Sequence, residues 1–324
     1  MSEMIAFPSI ESFRHVVKTV GFERGDDGLP LPTVRYTGTC KLHGSNASIR
    51  CTPNGEVIPQ SRTRVLSVGD DNFGFAAFVE KNKSLFNGFG QSFFGVTLYG
   101  EWCGGNIQPK VALEKLEKHF VISSALVNGI MYPVEFAFDK HEDVSEFNKA
   151  GIYFIYQIPS YEVLVDFNRP EDVVDQLSEL TLAVERECPW GKFRGVSGIG
   201  EGIVWAPVDT SLPFEWWFKT KGLDHKRDPK PAKVEVAAEV LKDQQALAEK
   251  LLPEWRLEQG ISVLRERGLS VEPKNIGVYL KWIGDDVQKE EQDTMEANGT
   301  DWKTISPMVL QRARQYILEL CKKF

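Results

Sequence analysis

Hydrophobic and polar positions change their period several times along the chain. Residues 9–22 (SIESFRHVVKTVGF) repeat apolar positions at helical spacing, with Ser9 or Ser12 placed to cap the first turn. From about Val34 the period shortens to two and the residues become β-branched or aromatic. Ser48–Thr52 and Glu56–Ser61 flank Pro53-Asn54-Gly55, which predicts a hairpin. Phe94–Tyr99 reads as a strand. Phe120–Val127 and Ile130–Phe136 flank Asn128-Gly129 and predict a second hairpin. Gly151–Phe167 reads as one long strand or two short ones, residues 171–187 (EDVVDQLSELTLAVERE) return to helical period, and Ile203–Ala206 and Glu215–Lys219 are strands again.

After Lys226 the texture changes. RDPKPAK is charged and carries two prolines, as a linker does, and VEVAAEVLKDQQALAEKLLPEW and MVLQRARQYILELCKKF are amphipathic at helical period. The pattern therefore predicts an α+β chain: a β-rich domain with a few helices over residues 1–228, then a small all-helical domain over 229–324.

Composition narrows the class. Of the 324 residues 42% are apolar, enough to bury a core. No apolar run approaches a membrane span, and MSEMIAFPSIESF lacks the basic-then-apolar layout of a secretory leader. The five cysteines (Cys40, Cys51, Cys103, Cys188, Cys321) are scattered, with neither metal-ligand spacing nor a disulfide framework. These features are expected of a soluble, cytoplasmic protein, monomeric by default. A net charge of −8 argues against a partner held by bulk electrostatics but leaves room for a local basic groove.

Candidate chemistry centres on YTGTCKLHGSNASIRC. Lys41 follows a strand and precedes a small polar turn (His43, Gly44, Ser45, Asn46), in which glycine permits close backbone approach. Lys-x-x-Gly spacing carries little by itself, since it recurs at Lys18 and Lys192. A lysine becomes a nucleophile only when it loses its proton. With a reference pKa of about 10.4 this is true of on the order of one molecule in a thousand at neutral pH, and neighbouring cations raise the fraction.

Compact clusters elsewhere could supply that environment. They are Arg62 in QSRTR, Glu101 in YGEWCGGNIQ, Glu201 in GIGEGIVW, and Lys219 with Lys221 in FKTK. On a strand Lys219 and Lys221 share a face, where they point to solvent or hold an anion such as phosphate. Taken singly, Glu101 and Glu201 read as surface carboxylates, His43 as a structural histidine and Asn46 as a turn residue. GIGEG does not open a helix after a strand, so it is no dinucleotide fingerprint.

In order, these clusters resemble the covalent nucleotidyltransferase superfamily, and within it the ATP-dependent RNA ligases of the phage RNA ligase 2 type, which include the kinetoplastid RNA-editing ligases. Lys41, His43, Gly44 and Asn46 meet the signature Lys-x-His-Gly-x-Asn. Arg62, Glu101, Glu201 and the Lys219/Lys221 pair match the motifs that follow. The resemblance spans residues 34–226 and implies an antiparallel-sheet adenylation domain. It implies Lys41 as the nucleophile on ATP, Lys219 and Lys221 on the α-phosphate, Arg62 on ribose or the terminal phosphate, and Glu101 on ribose hydroxyls. Glu201 would serve a divalent metal (Mg2+, with Mn2+ as substitute), His43 the leaving phosphate or its metal, and Asn46 the later steps. The implied partner is RNA with 5′-phosphate and 3′-hydroxyl ends, at a nick in duplex, as in RNA repair by a phage in its host's cytoplasm. Two positions depart from the family: Ser123 falls where an adenine-stacking aromatic is expected, with Phe120 its neighbour, and Cys40 stands where the phage enzyme has an acidic residue. A DNA ligase or capping-type enzyme is the rival, disfavoured by His43 and the helical tail. A non-catalytic RNA-end-binding relative is another, disfavoured by the intact lysines and glutamates.

Overall fold

The structure, a computed structural model, describes residues 4–24, 29–105, 107–138, 143–222, 247–297 and 300–322. Its strands are β1 (Glu11–Ser12), β2 (Thr33–Lys41), β3 (Ser45–Cys51), β4 (Val57–Ser61), β5 (Val96–Cys103), β6 (His119–Val127), β7 (Ile130–Pro133), β8 (Ile152–Phe154), β9 (Tyr161–Asp166), β10 (Gly202–Pro207) and β11 (Phe218–Lys221). They form two sheets. The first is ordered β1-β11-β10-β2-β9, and the second β4-β3-β5-β6-β7, with β8 added beside β6. All pairings are antiparallel except β1 with β11 and β8 with β6. The α+β class is as the sequence pattern predicts, and the antiparallel pairing is as the resemblance implies.

Alternation decides which face of each strand is covered. In β2, Val34, Tyr36 and Cys40 are buried, and Lys41 lies on the opposite, more open face. The covered face continues through Ile203, Trp205, Phe218 and Thr220. Trp205 stacks on Phe218, and the Thr220 hydroxyl is shared between Trp205 Nε1 (3.1 Å) and Thr181 Oγ1 (2.6 Å) of the helix Val174–Arg186. That helix packs on β10 and β11. The lysine-bearing face of the first sheet is thus the one left available to a ligand.

Several predicted elements shift for local reasons. The helix expected over 9–22 runs Phe13–Arg24, and Ser12 Oγ accepts from His15 N at its start. Phe94 and Gly95 take positive φ, so β5 begins at Val96 and extends to Cys103. The strand expected over 130–136 ends at Pro133, which has no N–H to continue a ladder, and Val134–Ala137 is helical. Residues 214–216 form a 3-10 turn after Pro213, so β11 starts at Phe218 rather than Glu215. Gly151–Phe167 resolves into β8 and β9, which join different sheets.

The chain divides into two compact units, Met1–Lys226 and Arg227–Phe324. The expected linker, 227–233, lies outside the described residues. The described part of the second unit carries the helices Glu254–Glu266, Ile276–Glu290, Gln292–Ala297 and Trp302–Cys321 around Leu257, Ile261, Tyr279, Ile283, Ile305 and Val309. Arg256 is buried there and ion-paired with Asp286 (3.0 Å) and Glu291 (2.8 Å). Among the described residues no helix is long and apolar enough to cross a membrane.

Candidate active site

Lys41 is the last residue of β2, in the first sheet, and Ser45 the first of β3, in the second. The turn Leu42–Gly44 is therefore a joint between sheets. Leu42 anchors it in the core. Gly44 lies so close to β5 that a Cβ would meet Trp102 O at 2.5 Å and Cys103 Cβ at 2.7 Å, which is why this position takes glycine. The Gly44 N–H donates to Glu101 Oε1 (2.8 Å), its carbonyl accepts from Gln108 Nε2 (3.2 Å), and Asn72 Nδ2 donates to Ser45 Oγ (2.9 Å).

Glu201 immediately precedes β10. In the ladders its neighbour Gly202 lies opposite Lys41 on one side and Lys221 on the other. Gly202 has φ 153°, and a Cβ there would run into the Thr220 carbonyl oxygen. Glycine lets the three strand ends converge, and the glutamate beside it receives what they bring. Lys41 Nζ lies 2.7 Å and His43 Nδ1 3.0 Å from Glu201 Oε2, and Lys221 Nζ lies 3.6 Å from Oε1. The Glu201 side chain is only 5% exposed. Burial pushes its carboxyl up, but Lys41 first, then His43 and Lys221, outweigh this and hold it well below the ordinary carboxylate range. The centre is thus one ionised carboxylate ringed by basic side chains.

The remaining candidates occupy distinct places. Lys219 is half-buried two residues before Lys221, opposite Val204 in the ladder. Asn46 is directly opposite Glu101 across β3 and β5, so both side chains rise from one face of the second sheet. Arg62 sits exposed in the turn after β4. Its neighbour Arg64 is tied down instead, donating to Asp70 O (3.0 Å) and Asp71 O (3.1 Å) and pairing with the Asp70 carboxylate (2.6 Å). The segment it secures leads to Asn72, which braces Ser45.

Ser123 is the extra residue of a β-bulge: Tyr99 faces Ser124 and Gly100 faces Ile122, leaving Ser123 between them with Oγ donating to Tyr99 O (3.5 Å). Phe120 is fully buried against Phe75 (5.0 Å between ring centres), so it is a core residue. Cys40 points away from the Lys41 face and hydrogen-bonds with Cys188, and that bond and burial raise its thiol well above the usual range.

Sequence reasoning named Lys41, His43, Glu101, Glu201 and Lys221, and the fold brings these together. It gave no role to Gln108, Asn72 or Arg64. Gln108 stands in the glycine-rich segment already singled out, whereas nothing in the sequence distinguishes Asn72.

Among the described residues no three His, Cys, Asp or Glu side chains are arranged to hold a metal ion. Glu201 offers one ionised carboxylate. That fits a hard divalent ion such as magnesium, which keeps several waters and takes one or two carboxylates plus substrate phosphates.

The chain belongs to the RNA ligase family, whose model matches residues 34–221, from the first turn of alternation in β2 to the last lysine of β11. Among solved structures it is similar to a mutant of the Naegleria gruberi RNA ligase with ATP and Mn (17% identity, TM-score 0.45, 68% of this chain and 57% of that one). It is also similar to the same ligase with PPi (18% identity, TM-score 0.44, 68% and 57%). The match thus spans little more than half the length of those proteins. None of the curated proteins matches the sequence.

Proposed function

We propose that the protein is an ATP-dependent RNA ligase of the phage RNA ligase 2 type, which seals 5′-phosphate and 3′-hydroxyl ends at breaks in duplex RNA. The observation that carries this reading is the convergence of Lys41, His43 and Lys221 on the buried carboxylate of Glu201. A lone surface lysine needs no such setting. A lysine that must attack phosphorus needs cations to share the charge of the phosphate and to favour loss of its own proton.

In the proposed sequence Lys41 Nζ, as the free amine, attacks the α-phosphorus of ATP. The bond to the pyrophosphate oxygen breaks, and AMP stays on the lysine as a phosphoramidate. An RNA 5′-phosphate oxygen then attacks that phosphorus, returning Lys41 and leaving AMP on the RNA end. The 3′-hydroxyl attacks the activated 5′-phosphorus and AMP departs. All three are phosphoryl transfers, in which positioning and charge stabilisation dominate.

Lys219 and Lys221, on one face of β11, would hold the α-phosphate. Glu101 keeps one oxygen on Gly44 N–H and would turn the other toward the ribose hydroxyls. Of the two arginines in SRTR, Arg64 is committed to residues 70 and 71, and Arg62 would meet ribose or the terminal phosphate. Asn46, beside Glu101, would serve the RNA phosphate in the later steps. Glu201 would hold a magnesium or manganese ion through water, and such an ion supplies charge neutralisation at the phosphates. His43 would orient the leaving phosphate.

The test is incubation with α-labelled ATP and magnesium, followed by a denaturing gel. A labelled band that Lys41→Ala abolishes supports the reading. Label transferred from GTP to a diphosphate end would support a capping enzyme, and binding of RNA ends without any label would support a non-catalytic relative.

A further inference from the structure

Gln108 is 6% exposed, and its amide Nε2 donates to the Gly44 carbonyl (3.2 Å). The same glycine gives its N–H to Glu101 (2.8 Å). One peptide residue is thus gripped at both its polar groups by side chains from a single segment, the end of β5 and the loop after it. The grip falls one residue after His43 and three after Lys41, on the chain between the two sheets. Free rotation of this turn would swing the His43 ring away from Glu201 and loosen the end of β2 that carries Lys41. The missing Cβ lets Gly44 seat against Trp102 and Cys103, but contact alone does not fix the direction of a peptide plane. A hydrogen bond to each end does.

We infer that Gln108 is a positioning residue for lysine adenylylation: its amide N–H orients the 42–45 turn and so holds Lys41 and His43 at the reacting phosphate. The inference rests on the ligase reading above. Gln108 touches neither nucleotide nor metal in this scheme, and its effect is transmitted through Gly44. Misplacement by about 1 Å of a reacting group costs as much as a hundredfold in rate.

The experiment compares two steps in the full chain for the wild type, Gln108→Ala and Gln108→Glu. The first is the rate of AMP labelling of the protein at saturating ATP. The second is sealing of a nicked RNA duplex whose 5′ end already carries AMP, which does not use Lys41 as nucleophile and so counts folded, RNA-competent enzyme. The expected result is that the ratio of labelling to sealing falls at least tenfold in both variants, with the ATP concentration for half-maximal labelling changed less than threefold. Gln108→Glu keeps the side-chain volume but sets an acceptor against the Gly44 carbonyl, so it decides the matter if Gln108→Ala does not fold. An unchanged ratio in Gln108→Glu overturns the inference, as does a parallel fall of both steps. A wild type that neither labels nor seals would instead refute the ligase reading itself.

Discussion

Lys41 Nζ and Glu201 Oε2 are 2.7 Å apart, although 160 residues separate them in the chain. The contact exists because Gly202, next to Glu201, lies directly opposite Lys41 in the β10–β2 ladder. The ion pair occupies the terminal nitrogen of the lysine, so an attack by Lys41 on phosphorus would require the pair to loosen first.

Replacing Lys41 by alanine should abolish protein labelling by α-labelled ATP. Lys41→Arg should do the same, because the guanidinium keeps its proton. Circular dichroism should show both variants folded, since the Lys41 side chain is 24% exposed and packs little core.

Glu201→Gln should leave Lys41, His43 and Lys221 facing one another without the carboxylate. Labelling should fall at least a hundredfold. Stability should fall by less than the ~3–5 kcal/mol typical of breaking a fully buried pair, because Lys41 reaches solvent. Thermal melting checks the second part, and a wild-type melting temperature would contradict the ion-pair ring.

Arg62→Ala and Arg64→Ala should separate. Arg64 secures the segment that leads to Asn72, so its loss should lower the melting temperature by several degrees. Arg62 is exposed, so its loss should leave melting unchanged while slowing labelling. Equal effects of the two on melting would remove the distinction.

His119 gives a pH dependence. Its Nδ1 donates to Glu117 O (2.7 Å), its Nε2 accepts from Trp190 Nε1 (2.9 Å), and burial lowers its pKa from 6.5 to about 4. The unfolded chain binds this proton first, so the folded state should lose stability as pH falls from about 6.5 to about 4. The total is on the order of 3 kcal/mol. Urea melts across this range check it, and His119→Gln should flatten the acid limb.

Alternation was readable in β2, where one face is covered, and the hairpins were readable because Asn-Gly and Pro-Asn-Gly turns are local. Strand ends were less so: Pro133 and Phe94 override the apolar pattern through backbone geometry. Lys41, Glu101, Glu201 and the β11 lysines stood out as clusters beside glycines, and close approach to a neighbouring strand is what requires those glycines. Gln108 and Asn72 act through single hydrogen bonds across the fold, to a backbone carbonyl and to a hydroxyl, and Arg64 through the carbonyls of residues 70 and 71; a linear sequence carries no periodic trace of such contacts. The bulge at Ser123 likewise depends on how β5 and β6 register, which neither strand states alone.

The joint at Leu42–Gly44 has a mechanical consequence. The first sheet contributes the charged lysines and Glu201, the second contributes Glu101 and Asn46, and the chain passes directly from one to the other at this turn. Any slippage between the sheets is concentrated in the three residues that follow Lys41, as strain in a folded card gathers along its crease. The crease is also pinned at both polar groups of Gly44, so the alignment of the two half-sites is held at the place where misalignment would do most harm.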